Sequence, residues 1–214
     1  MAEQQYGKQG MGNEVDLWKH PHLIKFAKAV KPSTYVEFHS GAGLSSSGYK
    51  GSSIQVLENI GYDVAFLHEK DEGIREDLDR NLGAFPNVSI RGKWEDDIDE
   101  YIRDAKKNWL FLIDPTSIRN YSVQLYNTME KLMKNGASMF LYVPQKKYKN
   151  TDKEKMRDLE IMIRQVPQNG LILTREFGKE GFPRRQDHLI FVSNQNNLNI
   201  LLSKIDDSQE IRWI

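Results

Sequence analysis

"YVEFHSGAGLSSSGYKGSS" spans residues 35–53, and its reading decides the fold. An apolar start of Tyr, Val and Phe suits a β-strand. Glu37 interrupts it, and Gly41, Gly43 and a run of serines follow. Small residues directly behind a strand let backbone come close to a ligand. The stretch therefore reads as the first strand and binding loop of an α/β sheet.

The rest of the chain repeats that rhythm. "TYVEF" (34–38), "DVAFLHE" (63–69), "VSIRG" (88–92), "WLFLIDP" (109–115) and "SMFLYVP" (138–144) read as strands. Helical patterns follow them at 52–61, 71–85, 95–106, 122–136 and 152–167. Strands alternating with helices imply right-handed crossovers and a parallel sheet. The unbroken apolar runs at 109–113 and 138–143 suit central strands covered on both faces. "GLILTREF" (170–177) and "DHLIFVSN" (187–194) have only a loop between them, so they should pair antiparallel at one end of the sheet. A last helix is expected at 197–205. Upstream, "DLWKHPHLIKFAKAVK" (16–31) spaces Leu17, Leu23, Ile24, Phe26, Ala27 and Val30 as a helix, with a break expected at Pro21. One domain over 1–214 is expected, with the polar, Gly-rich residues 1–13 mobile or folded over a site.

Composition narrows the function classes. Lys plus Arg and Asp plus Glu stand at 30 each, which argues against a protein that coats nucleic acid but leaves room for a local basic patch. The absence of Cys excludes disulfides, thiolate metal sites and a Cys nucleophile. "MAEQQYGKQG" lacks the apolar core of a signal peptide, and no run is long enough to span a membrane. A cytoplasmic protein without membrane association is expected. Neither a nucleophile elbow nor a P-loop occurs.

Two ligand classes compete for the glycine loop. A dinucleotide fingerprint needs a third Gly where Ser46 stands, and an acid earlier than Glu69. S-adenosylmethionine (SAM) sites use a related loop with an acid near the end of the first strand. Glu37, four residues before Gly41, can act there on the amino-acid end of SAM, directly or through water. Glu69, at the end of the second strand, has two oxygens for the two ribose hydroxyls. SAM fits better, and the expected architecture is the Rossmann-like class I methyltransferase fold.

"GNEVDLWKH", "VEFHSGAG", "GYKGSS" and "LFLIDP" together resemble the bacterial large-subunit ribosomal-RNA adenine-N6 methyltransferases. The loop–helix pair and "HEKDEGIREDLDRNL" also resemble the three-Cys-motif partner proteins, which share a methyltransferase-like core. The resemblance covers roughly residues 10–145. It implies SAM as cofactor, N-methylation of a nucleic-acid base as activity, and a set of site residues. Lys19 and His20 match a Lys-His pair near SAM, and His39 the His beside the glycine loop. Ser52 matches a helix-start serine facing the SAM carboxylate, and helix N-termini attract anions in their own right. Glu69 matches the ribose acid, Trp94 the aromatic after the third strand, and Asp114 with Pro115 the first half of the catalytic motif. Asp114 would accept hydrogens of the target amine.

The departures are specific. Thr116-Ser117 stand where the family has Pro-Tyr, so the aromatic that stacks on the base is missing. Such stacking is worth about 1–3 kcal/mol per base. Tyr121 is the nearest replacement downstream. Lys93 stands where an Asp would read the SAM adenine, and Lys cannot accept that hydrogen. The helical insertion behind the glycine loop is also absent, with about seven residues between Gly43 and Gly51. These losses motivate a second expectation: a SAM-binding module without transfer activity, acting as an interaction partner.

Two loops offer a substrate grip. "PQKKYKN" (144–150) interleaves Lys146, Lys147 and Lys149 with Tyr148, and "FPRRQ" (182–186) adds Phe182, Arg184 and Arg185. Such loops can hold phosphates and stack a base, which points to RNA or DNA. Solvated loop charge is the plainer reading of the same residues. His20 and His22 with Glu14 or Asp16 make a poor metal cluster, since the two His are separated only by a Pro, and no metal is expected.

Overall fold

The computed structural model describes residues 14–45, 48–115, 122–146, 150–177, 185–205 and 210–214. Eight strands form one sheet in the order β3-β2-β1-β4-β5-β7-β6-β8. They are β1 (Thr34–Glu37), β2 (Val64–His68), β3 (Val88–Arg91), β4 (Trp109–Ile113), β5 (Ser138–Lys146), β6 (Asn169–Phe177), β7 (Arg185–Ser193) and β8 (Glu210–Trp213). β1 to β5 run parallel, β7 lies antiparallel between β5 and β6, and β8 closes the edge beside β6. The α/β class, the parallel core and the antiparallel hairpin thus stand as the sequence predicts.

Seven helices among the described residues cover the sheet: α1 (Glu14–Val30), α2 (Ser52–Asn59), α3 (Glu72–Leu82), α4 (Ile98–Asp104), α5 (Val123–Lys134), α6 (Asn150–Arg164) and α7 (Gln195–Leu202). One face packs Tyr35, Leu110, Phe140 and Phe191 against Leu23 and Phe26 of α1, Leu78 of α3 and Leu198 of α7. The other packs Val36, Phe111, Met139 and Ile190 against Tyr101 of α4, Met129 of α5 and Leu159 of α6. Alternate side chains of each strand thus fill opposite layers, which is why the central strands carry no polar face. Local caps agree with the layout. Asp71 accepts from the Ile74 N–H, Ser122 from Leu125 and Asn194 from Asn197.

Three expectations change. α1 runs through Pro21 without ending there. A Pro removes one helical hydrogen bond, but Leu23, Phe26 and Ala27, each fully buried beyond it, hold the helix by packing. Leu17, assigned to the apolar face, is 60 % exposed, and Trp18 takes the core position. The helix expected at 95–106 begins as a 3₁₀ turn, Trp94–Asp97, and only then becomes α4. β8 was not legible at all. It pairs Leu171 with Trp213 and Thr174 with Glu210. Gly170 makes room for it: a Cβ there would come within 2.9 Å of Ile163 and 3.1 Å of Ile214.

Candidate functional site

Parallel strands bring their carboxyl ends to one edge. Glu37 is level with Leu67 and with Leu112, and Ile113 with Leu141. Asp114 and Tyr142, each one residue further on, therefore sit side by side at that edge. Glu69 and the glycine loop lie on its other flank. Ligands in open α/β sheets bind at this edge.

Glu69 organises the loop flank. One carboxylate oxygen accepts the Gly41 N–H at 3.1 Å and the other the Asp71 N–H at 2.9 Å. Each oxygen keeps a further lone pair for a hydroxyl. Gly41 and Gly43 both have positive φ, +60° and +73°, the left-handed conformation that favours Gly. Beside Gly41 no atom lies within 4 Å of where a Cβ would be, whereas beside Gly43 the Leu78 side chain is 3.0 Å away. Gly41 thus faces open space, and Gly43 lets the loop close on α3. Asn81 of α3 ties the loop down by donating to the Ala42 carbonyl at 2.8 Å.

Glu37 does not face that space. It is fully buried, accepts from the Tyr35 hydroxyl at 2.9 Å, and accepts from Ser52. Burial raises its pKa to about 7, against the two hydrogen bonds, which pull it down. The Ser52 hydroxyl, expected to face the SAM carboxylate, is committed to Glu37. The acid thereby locks the start of α2 to β1, and any effect on a ligand passes through that helix terminus. His39 next along is mostly buried, and its Nδ1 has no hydrogen-bond partner. Burial lowers its pKa, so it is neutral at pH 7.

The Lys-His pair sits on the buried side of α1. Lys19 is 6 % exposed; its Nζ pairs with Asp114, lies 3.1 Å from Asp16, and is 5.0 Å from the centre of the Tyr142 ring. Burial would lower the Lys19 pKa, but Asp114 and Asp16 together outweigh it and hold it raised. His20 has its Nε2 3.8 Å from the same Asp16 oxygen. Its Nδ1 meets the Tyr49 hydroxyl at 3.2 Å and Gln55 Nε2 at 3.0 Å, tying the serine loop to α1. His22 is bound by its Nδ1 to the Trp18 carbonyl at 2.7 Å. Among the described residues no group of three His, Cys, Asp or Glu is arranged to hold a metal ion.

On the β2–β3 side, Trp94 stacks on Phe38 with ring centres 4.8 Å apart and planes 6° from parallel. His68 closes the cluster through a 2.6 Å bond to the Tyr101 hydroxyl. Trp94 is thus backed by the core and not a free-standing lid.

The basic loops are described in part. β5 and β7 set Lys146 opposite Arg185 in the strand register. Lys147, Tyr148, Lys149, Phe182 and Arg184 lie outside the described residues, as do Ser46, Thr116, Ser117 and Tyr121. Pro115 is buried directly behind Asp114.

Sequence reading weighed Asp16 only as a metal ligand and missed its pairing with Lys19, and it missed Tyr142. Asp16 is one helical turn before Lys19 and on its face, a spacing visible in "DLWK". Tyr142 is a polar-tipped ring inside an apolar strand, and nothing local marks its partner 123 residues away in α1.

No protein-family model matches the sequence, and no curated protein matches it. Solved structures share its fold. Protein LPL1258 from Legionella pneumophila, of family model DUF519, is 14% identical over 95% of this chain and 97% of its own, with a TM-score of 0.64. The O-methyltransferase TomG from Streptomyces achromogenes, solved with SAM, is 14% identical over 90% and 86%, with a TM-score of 0.60. An rRNA methylase from Streptococcus thermophilus is 11% identical over 82% and 95%, with a TM-score of 0.51. The fold is that of the Rossmann-like SAM-dependent methyltransferases. The residues at the sheet edge fit SAM: a two-oxygen acceptor at the end of β2, open space beside Gly41, and the unpartnered His39 Nδ1.

Proposed function

We propose that the chain is a SAM-dependent methyltransferase acting on a nitrogen of a nucleic-acid base. The observation that carries this reading is the Asp114–Lys19 pair, a buried cation holding an acid at the carboxyl end of a central strand, level with the SAM-compatible loop. Burying an ion pair costs several kcal/mol of desolvation per ion, so a fold has little reason to keep one there for stability alone. Such groups cluster at functional sites.

SAM supplies an electrophilic methyl group. The chain's own residues do the rest. Glu69 would hold the ribose hydroxyls, and Trp94 would lie towards the adenine. Lys19 fixes one oxygen of Asp114, which leaves the other to accept a hydrogen of the target amine. Alignment of the two reactants does most of the work. Lys146 and Arg185 stand opposite each other in the β5–β7 register, and Lys and Arg are the residue types that hold phosphates.

The test is transfer of labelled methyl from SAM to RNA, DNA and protein fractions. Transfer to nucleic acid that drops at least about tenfold in Asp114→Asn, roughly 1.4 kcal/mol of transition-state stabilisation, supports the proposal. Transfer at the parent rate removes Asp114 from the reaction. The second reading, a binding module of the same fold, is favoured by Ser117 in place of a stacking aromatic. Tight SAM binding with no transfer to any fraction selects it.

A further inference from the structure

We propose that Tyr142, held by Asp187, is a positioning residue that sets the charge and place of Lys19, and through it of Asp114. The proposal rests on the reading of Asp114 as the acceptor group but extends it to the antiparallel half of the sheet. Tyr142 lies on β5 and Asp187 on β7, opposite Pro144. The Tyr142 hydroxyl donates to Asp187 Oδ2 at 2.8 Å. The ring of Tyr142 faces Lys19 Nζ at 5.0 Å. A cation within about 6 Å of a ring centre is attracted by the electron-rich face, and more strongly where water is excluded. Lys19 is 6 % exposed, Tyr142 6 % and Asp187 0 %, so water is excluded along the whole chain of contacts.

The hydroxyl bond sharpens the effect. Donation to a carboxylate shifts electron density onto the phenol oxygen and into the ring. The ring then attracts the ammonium better than a Phe would. A buried acid in a central strand is costly, and one that only fixed strand register could be replaced by an apolar pair. Asp187 instead extends a line of groups that reaches Asp114 through Tyr142 and Lys19. The other charged or titratable groups near Lys19 are Asp16 and His20 on α1, Glu37 on β1 and Asp114 behind β4. None of these is on β5 or β7, so Tyr142 and Asp187 are the distinct contribution of those strands among the described residues.

The experiment reads Lys19 directly, by titrating its 13Cε resonance in labelled protein. Tyr142→Leu should lower the Lys19 midpoint by about one pH unit, the scale of a desolvated cation–ring contact. Tyr142→Phe and Asp187→Asn, which keep the ring and the shape, should lower it by a smaller step in the same direction. Where methyl transfer is measurable, all three should reduce kcat with the KM for SAM unchanged. A Lys19 midpoint that stays at the parent value in folded Tyr142→Phe and Asp187→Asn overturns the proposal, and leaves the pair as a register lock. The titration does not depend on turnover. A parent without transfer would defeat the proposed activity while the midpoints still decide the role of Tyr142.

Discussion

Glu37 combines full burial with two hydroxyl donors, and its protonation leaves a measurable trace. Its folded pKa of about 7 lies above the ordinary 4.5. Between those values the folded chain keeps a proton that the unfolded chain has released, so stability falls as pH rises through that window. Glu37→Gln can still bond Tyr35 and Ser52 but cannot ionise. Relative to the parent, the variant should gain roughly 3 kcal/mol between pH 4.5 and 7.5, read by urea unfolding at each pH. A difference that stays constant with pH would show that Glu37 is ionised in the fold. Asp114 carries a second consequence. Asp114→Asn leaves Lys19 buried with Asp16 as its remaining carboxylate, so the loss of activity should come with about 1–3 kcal/mol of lost stability. Asp16→Asn should cost a similar amount of stability with less effect on transfer.

At the level of elements, the glycine loop makes the sharpest prediction. Gly41→Ala meets only the strain of a left-handed backbone, about 1–2 kcal/mol. Gly43→Ala adds a contact at 3.0 Å with Leu78, so it should destabilise more, as thermal unfolding would show. Equal costs would mean the loop relaxes away from α3. The same loop shows what a sequence can and cannot reveal. Strand, glycines and Glu69 were legible, because an apolar run, a positive-φ turn and an acid at a strand end are local signals. The continuity of α1 was not, because Pro21 is a local breaker while the packing of Leu23 and Phe26 is a tertiary fact. β8 was invisible, since "EIRW" is short and exposed, and only the room beside Gly170 admits it. The Asp114–Lys19 pair spans 95 positions, and the residues were named from a resemblance while their contact came from the fold.

The whole molecule holds five histidines, and burial lowers the pKa of each, His20, His68 and His188 to about 4. The unfolded chain takes up these protons from about pH 6.5 downward and the folded chain does not. Stability should therefore fall as pH drops from 6.5 towards 4, opposite in sign to the single Glu37 effect and larger. A urea midpoint lower at pH 5 than at pH 7 is the expected result. The proposed nucleic-acid binding would be a property of the whole surface. Under the proposed nucleic-acid substrate, the chain should bind RNA or DNA with a salt dependence that flattens when Lys146, Lys147, Arg184 and Arg185 are replaced by Ala. Absence of binding even at low salt would point to a different acceptor. The central claim is that the sheet edge between Glu69 and Asp114 holds SAM, and calorimetric titration tests it most directly. The account predicts one SAM bound per chain, with affinity weaker by about 1–3 kcal/mol in Glu69→Ala and little changed in Asp114→Asn. A folded parent that binds no SAM, or a Glu69→Ala variant that binds it as tightly as the parent, would contradict it.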